Sequence, residues 1–156
     1  MATLPIIEYP NPILLKKAEP ISKLEKSSIE QIALNSLIAD MFETMEKNSG
    51  VGLAAPQIGK SIRLCVVNVE DEAYVLINPR ITYTSALKEI CEEGCLSFPG
   101  KFIPVKRAKK VRVKAQNELG EEVTIKAKGL LARVLQHEID HLDGLLFIEK
   151  EIKAKK

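Results

Sequence analysis

The stretch Gln136-His-Glu-Ile-Asp-His-Leu-Asp-Gly144 contains both histidines of this 156-residue chain, in the spacing H-E-x-x-H. On a helix, His137 and His141 project from one face about one turn apart, which suits two ligands of the same metal ion. Glu138 lies beside them, where a carboxylate can take a proton from water that a metal activates. The stretch therefore predicts a metal-binding helix that ends at Gly144.

A catalytic site of this type needs a third protein ligand, and the chain has no third histidine. The longer motif H-E-x-x-H-x-x-G-x-x-H would have a third histidine at the position of Phe147. A carboxylate from the residues after His141 would be a strained third ligand. Cysteine remains, and Cys95 lies between Gly94 and the turn residues Pro99-Gly100. Cys91 leaves an alternative open, because Cys91-x3-Cys95 with both histidines also has the spacing of a closed structural zinc site.

The composition is that of one globular domain, which we expect to span residues 1–156. The chain is 46% hydrophobic and 28% charged, and its net charge of +2 is too small for a general polyanion binder. We therefore expect no DNA partner. No secretory signal pattern and no apolar stretch of the ~20 residues that a membrane helix needs is present, and an odd cysteine count suits a reducing compartment. We expect a cytoplasmic protein with no membrane contact.

Hydrophobic periodicity predicts an early helix and a late one. Ser27 followed by Glu30 is typical of a capping box, and Gly50 is the expected end of the first helix. Between them, apolar residues follow helical spacing: Leu34, Leu37, Ile38, Met41, Phe42 and Met45. The second helix runs from about Leu130 to Asp143.

Strand-like runs separate the two helices. They cover 62–69 and 74–78, the second ending at Pro79. Runs 111–115 and 123–127 alternate apolar and polar residues around a turn, which predicts a hairpin with one lysine-rich, solvated face. We therefore expect an α+β fold with antiparallel β-sheets around the metal-binding helix and the N-terminal helix packed on the sheet.

The segment Gly50-Val-Gly-Leu-Ala-Ala-Pro-Gln57 follows the first helix. Its small residues allow close approach of a ligand to the backbone, and Gln57 offers a side-chain amide as a donor to a developing oxyanion.

Together the three segments resemble the peptide deformylase family. That family is marked by G-x-G-L-A-A-x-Q, E-G-C-L-S and Q-H-E-x-D-H-L-x-G in this order. They stand here as Gly50–Gln57, Glu93–Ser97 and Gln136–Gly144, with every specified position matched. The resemblance implies removal of the formyl group from the N-terminal formyl-methionine of new bacterial or organellar proteins, with release of formate.

The resemblance also implies the roles of the metal-site residues. Cys95, His137 and His141 would hold one divalent metal ion, and Glu138 would act as general base and then as acid. The metal implied is Fe²⁺, with Zn²⁺, Ni²⁺ or Co²⁺ able to take its place.

For the substrate, the resemblance implies an oxyanion hole and a peptide groove. The side chain of Gln57 and the backbone N–H of Leu96 would form the oxyanion hole, and Glu93 would support the metal loop. The peptide would add a strand beside Gly50–Leu53, and Arg133 would either cover the methionine pocket or face solvent. The implied substrate-binding residues are Gly50, Val51, Gly52, Leu53, Glu93, Gly94, Leu130 and Val134.

The resemblance implies formyl-methionyl nascent peptides as partners. The basic tail, residues 151–156, is either solvated or in transient contact with the ribosome, and we expect a monomer. Three other functions fit parts of the pattern. One is a binding module with a structural zinc, and another is a metalloprotease that cuts internal peptide bonds. The third is a cysteine hydrolase with Cys95 as nucleophile and His137 as base.

Overall fold

The computed structural model describes residues 2–22 and 29–152. The predicted capping residue Ser27 lies outside these residues. The helices are α1 (Ile29–Lys47) and α2 (Gly129–Leu142), and short 3-10 helices cover Pro12–Leu15, Ala55–Ile58 and Phe147–Lys150. The strands are β1 (Gly52–Ala54), β2 (Leu64–Val69), β3 (Glu72–Thr84), β4 (Lys88–Cys95), β5 (Phe98–Ala108), β6 (Lys110–Gln116) and β7 (Glu122–Lys128).

The strands form two antiparallel sheets, and α2 packs between them. The larger sheet has the order β1-β2-β3-β6-β7, and β4 pairs with β5 alone. Helix α2 contacts strands of both sheets. The predicted α+β class is confirmed. No helix in the described part of the chain is long and apolar enough to cross a lipid bilayer.

Strand β2 is buried on both faces because it lies between the two helices. Cys65 and Val67 belong to the core cluster that contains the apolar side of α2. Leu64 and Val66 alternate with them and pack in the cluster of α1. A strand covered on both faces reads as a continuous apolar run, which explains why 62–69 was detectable from the sequence.

Helix α1 packs on the larger sheet as expected. Its buried side chains meet Leu53 and Ile77 in one cluster, whereas Leu37 and Phe42 are only partly buried. The buried members of the predicted stripe are Leu34, Ile38, Met41 and Met45.

The prediction that a strand ends at Pro79 was wrong, because β3 continues to Thr84. Asn78 has a φ of 51°, and the pairing of β3 with β6 shifts register between Ile77 and Arg80. A proline, which has no N–H to donate, is tolerated at such an irregularity. The Asn78 side chain bonds both backbone polar groups of Ile21, each at 2.8 Å, which ties the bulge to the N-terminal arm.

The hairpin of β6 and β7 is confirmed, with Val113 opposite Ile125. The hairpin of β4 and β5 was not predicted, although it carries Cys95. Five of the eight residues of β4 are exposed, so its sequence has no apolar alternation to detect.

Gly144, which ends α2, lies against the N-terminal arm. Its φ is 74°, and a Cβ there would lie 2.6 Å from the backbone oxygen of Leu15. The neighbouring arm residue Leu14 is fully buried, so this backbone has little room to retreat. A glycine is therefore required for both conformation and space.

Gly144→Ala is expected to lower the free energy of unfolding by about 2–4 kcal/mol, measured by urea titration. Gly100→Ala is the matched control, because Gly100 has the same φ of 74° and a Cβ at that position would meet nothing within 4 Å. Gly100→Ala should lower the free energy of unfolding by about 1–2 kcal/mol, which is the cost of the left-handed backbone alone. Equal losses in the two variants would contradict a close contact at Leu15.

Candidate active site and metal centre

The structure brings Cys95, His137 and His141 together at the centre of the molecule. One ligand atom from each lies within 4.8 Å of the others, and Cys95 Sγ is 3.3 Å from His141 Nε2. Cys95 ends β4, whereas both histidines come from the buried face of α2. Cys91 is not part of this group, which removes the geometric basis for a four-ligand structural site.

This donor set fits a divalent transition metal. A thiolate and two imidazoles, held in a buried position beside a cavity, are the ligands that zinc, iron, nickel and cobalt accept. Glu93 Oε1 lies 2.9 Å from His137 Nδ1, which leaves the other ring nitrogen for a metal. Such a carboxylate–histidine contact is typical of metal sites, because it fixes the orientation of the ring.

Glu93 is itself held by two arginines. Arg107 donates from Nε and Nη2 to the two carboxylate oxygens, and Arg133 Nη1 donates to Oε2. Arg107 Nη1 also lies 2.8 Å from Asp140 Oδ2, which in turn pairs with Lys150 at 2.8 Å. Groups of alternating charge thus connect the exposed ammonium of Lys150 with His137, through Asp140, Arg107 and Glu93.

His137 and Arg107 keep the Glu93 carboxylate ionised. Burial alone would raise the pKa of Glu93, but hydrogen bonds from His137 and Arg107 and their charges lower this pKa to about 2. The pKa of Arg107 is raised, because its bonds to Glu93 and Asp140 outweigh its own burial.

The two histidines have opposite electrostatic environments. Burial lowers the pKa of His137, but hydrogen bonds with Cys95 and Glu93 and the charges of Glu138 and Cys95 raise it to about 10. The pKa of His141 is held below its usual range by burial and by the charges of His137 and Arg107.

Glu138 is a buried carboxylate with a free oxygen. Within the described residues, Oε2 has no hydrogen-bond partner. Burial raises the pKa of Glu138 to about 7, although the charges of His137 and Arg107 act in the opposite direction. Such a group can both take and release a proton near neutral pH. Gly52 makes room for it, since a Cβ there would lie 2.6 Å from Glu138 Oε1.

Gln57 is held beside Cys95 by bonds to both ends of its amide. Oε1 accepts from the backbone N–H of Ala54 at 2.9 Å, and Nε2 lies 3.2 Å from Ser97 Oγ and 3.6 Å from Cys95 Sγ. This arrangement aims the N–H donors at the edge of the metal site. Ser97, to which sequence reasoning assigned no role, thus orients the amide.

A cavity of about 660 Å³ opens over these groups. Leu53 does not line it, because its side chain is fully buried in the cluster of α1. Leu130 is about half exposed at the cavity wall. Arg133 also lines the cavity, and its side chain is buried in an ion pair with Glu93 rather than turned to solvent. The predicted site residues that line it are Gly50, Val51, Gly52, Gln57, Glu93, Gly94, Cys95, Leu96, Leu130, Val134, His137 and Glu138.

Sequence reasoning missed Arg107, Asp140 and the role of Gln136. Gln136 bonds the N–H and C=O of Ala108 at 3.1 and 2.9 Å, which joins α2 to the end of β5. Asp140 and Gln136 are specified letters of the third motif, and that signal could have marked them. Arg107 stands in a basic run and carries no local signal.

The comparisons with known proteins agree with one another. A family model described as "Polypeptide deformylase" matches residues 3–156. A peptide deformylase of Halothermothrix orenii is 48% identical over 155 residues, covering 98% of this chain and 96% of that protein. One of Carboxydothermus hydrogenoformans is 49% identical over 150 residues, covering 96% and 94%.

Solved structures agree over the whole fold. The crystal structure of peptide deformylase from Thermotoga maritima superposes with a TM-score of 0.91 at 40% identity, covering 98% of this chain and all of that one. A peptide deformylase from Synechococcus elongatus in complex with actinonin gives 0.90 at 37% identity, covering 98% and 81%.

Proposed function

This chain belongs to the polypeptide deformylase family, metal-dependent hydrolases that remove the N-terminal formyl group of nascent proteins, and we propose how its own residues perform that reaction. We assign the roles from one observation: Cys95, His137 and His141 lie in one cluster, and Glu138 lies beside it.

Cys95, His137 and His141 hold the divalent metal ion in this proposal. A metal held there supplies a Lewis acid that makes water nucleophilic near neutral pH. We assign Fe²⁺ as the resident ion from family resemblance, and the donor set suits Zn²⁺, Ni²⁺ and Co²⁺ as well.

Glu138 moves the proton. Its carboxylate accepts a proton from the water that attacks the formyl carbon, and it delivers that proton to the amine nitrogen as the C–N bond breaks. The products are formate and a free amino terminus. The burial of Glu138 and its pKa of about 7 support both halves of this exchange.

Gln57 and Leu96 stabilise the charge that develops on the formyl oxygen. The amide of Gln57 is already held by Ala54 and Ser97, so little reorganisation is needed during the reaction. The backbone N–H of Leu96 is the second donor, and this residue lines the same cavity.

The cavity walls and the edge of the sheet bind the peptide. Val51, Leu130 and Val134 offer an apolar wall for the methionine side chain. Strand β1 is an edge strand of the larger sheet, so its outer backbone can pair with an extended substrate, a mode that accepts many sequences. A formyl carbon carries only hydrogen, and a narrow site excludes bulkier acyl groups.

The partners in this proposal are formyl-methionyl nascent peptides, met by a monomer in the cytoplasm, with a transient contact to the ribosome. The family's reaction on nascent proteins supports this placement.

The test is formate release from a formyl-methionyl peptide by protein purified without oxygen and loaded with Fe²⁺. We expect turnover that is nearly abolished by a chelator and restored by added metal, because the Lewis acid is required. The acetyl-methionyl peptide serves as the matched substrate control and should be cleaved at least about 100-fold more slowly.

Activity that persists after complete metal removal would support a cysteine hydrolase instead. Cleavage of unformylated peptides at internal bonds would support the metalloprotease. Cys91→Ser should keep both metal and turnover, since Cys91 lies outside the ligand group.

A further inference from the structure

Arg133 lies one helical turn before His137 on α2 and is buried, with 9% of its surface exposed. Its guanidinium reaches three acceptors on the hairpin of β4 and β5. Nη1 donates to Glu93 Oε2 and, at 2.9 Å, to the carbonyl of Val105, and Nη2 donates to the carbonyl of Glu89 at 2.7 Å. The side chain therefore spans from the histidine helix to the strand that carries Cys95.

Glu93 is the point through which Arg133 can reach the metal ligands. Its Oε1 contacts His137 Nδ1 and Arg107 Nη2, and its Oε2 contacts Arg107 Nε and Arg133 Nη1. Each carboxylate oxygen thus has two donors. Loss of Arg133 leaves Oε2 with one donor and removes one of the two guanidinium charges that compensate a buried carboxylate, so the carboxylate is free to rotate.

Arg133 also connects α2 with the hairpin of β4 and β5. Cys95 comes from β4, whereas His137 and His141 come from α2, so the distance between these elements sets the size of the ligand triangle. The bonds to Glu89 and Val105 attach α2 to both strands of the hairpin.

We propose that Arg133 is a positioning residue of the metal centre: by holding Glu93, which lies on the Cys95 strand, it orients the His137 imidazole beside Cys95. The inference rests on the proposed metal site. Lysine cannot replace arginine fully, because three acceptors in different directions match the planar fork of a guanidinium and not a single ammonium.

The test is a mutant cycle on the complete protein with R133M, R133K, E93Q and R133M/E93Q. The readouts are Zn²⁺ affinity by chelator competition, the visible absorption spectrum of the Co²⁺-loaded protein, and kcat and KM. We expect R133M to weaken Zn²⁺ binding about 10- to 100-fold, to alter the Co²⁺ bands and to lower kcat more than KM changes. R133K should be intermediate.

The double variant separates positioning from general stabilisation. If Arg133 acts through Glu93, adding R133M to E93Q should weaken Zn²⁺ binding by less than about threefold further. Full additivity of the two losses, or wild-type affinity and spectrum in R133M, would overturn the proposal. Where R133M does not fold, R133K and R133K/E93Q complete the same cycle with the same criterion.

Arg63→Met is the matched control. Arg63 also ties α2 to a neighbouring element, through the carbonyl of Leu142 at 2.8 Å and Asp143 at 2.9 Å, but has no bond to Glu93. Arg63→Met should lower the free energy of unfolding, while Zn²⁺ affinity and the Co²⁺ spectrum stay unchanged. A loss of Zn²⁺ affinity as large as that of R133M would overturn the proposal. The metal titration does not depend on deformylation. Tight metal binding without formate release would therefore contradict the proposed function, but it would not contradict the role of Arg133.

Discussion

Glu138→Gln is expected to lower kcat for formate release by about 10²–10⁴-fold while the protein retains its metal. Glutamine keeps the size of the side chain but cannot accept the proton of the attacking water. Glu138 is not part of the Cys95, His137 and His141 cluster, so metal content should be that of the wild type. Steady-state kinetics with metal analysis of the same sample measures both.

Asp143→Asn is the matched control, because it makes the same change from carboxylate to amide on an exposed residue just beyond α2. It should leave kcat within about twofold of the wild type, as is usual for surface substitutions. Full activity of Glu138→Gln would show that proton transfer uses another group.

Gly52→Ala is expected to lower kcat by about 10²-fold with little change in stability. The added Cβ would lie 2.6 Å from Oε1 and 2.9 Å from Cγ of Glu138, so the carboxylate has to move. A displacement of a catalytic group by about 1 Å can lower the rate about 10²-fold. No positive φ is required at Gly52, so alanine adds no backbone strain. Kinetics and a urea titration measure the two effects.

The cause can be isolated in a Glu138→Ala background, where the contact partner is absent. There, Gly52→Ala should reduce the residual turnover by no more than about twofold. Gly52 also lies on β1, the proposed peptide-binding edge, so a loss that is equal in both backgrounds and appears in KM would point to peptide binding instead.

The parts of the fold that the sequence predicted are those built from local patterns. Helix α2, helix α1 and the hairpin of β6 and β7 each bury one side, and that burial imprints a period on consecutive residues. The hairpin of β4 and β5 escaped detection because its exposed residues have no such period. The end assigned at Pro79 failed because Asn78 absorbs the irregularity with a left-handed backbone.

For the candidate site, a spacing rule identified the two proposed ligands that share one helix. His137 and His141 are four residues apart, and helix geometry alone places them together. The third proposed ligand was inferred from the scarcity of histidine and from the motif around Cys95, and Cys95 Sγ lies 3.3 Å from His141 Nε2.

The charged residues behind the ligands could not be foreseen. Glu93 lies 14 residues from Arg107 and 40 from Arg133, and no periodicity connects positions on two strands and a helix. Arg133 could equally have faced solvent, since a long amphipathic side chain has either option until its surroundings are assembled.

By itself, then, the sequence determined the chemistry: which residue types could bind a metal, which carboxylate lies beside them, and which family the three motifs resemble. Only the tertiary structure decided that Arg133 and Arg107 share one buried carboxylate behind His137, and that Gly144 and Gly52 are small because Leu15 and Glu138 occupy the adjoining space. The physical reason is that ligand spacing on a helix is a local property of the backbone. Charge compensation and close approach, in contrast, depend on which distant segments meet.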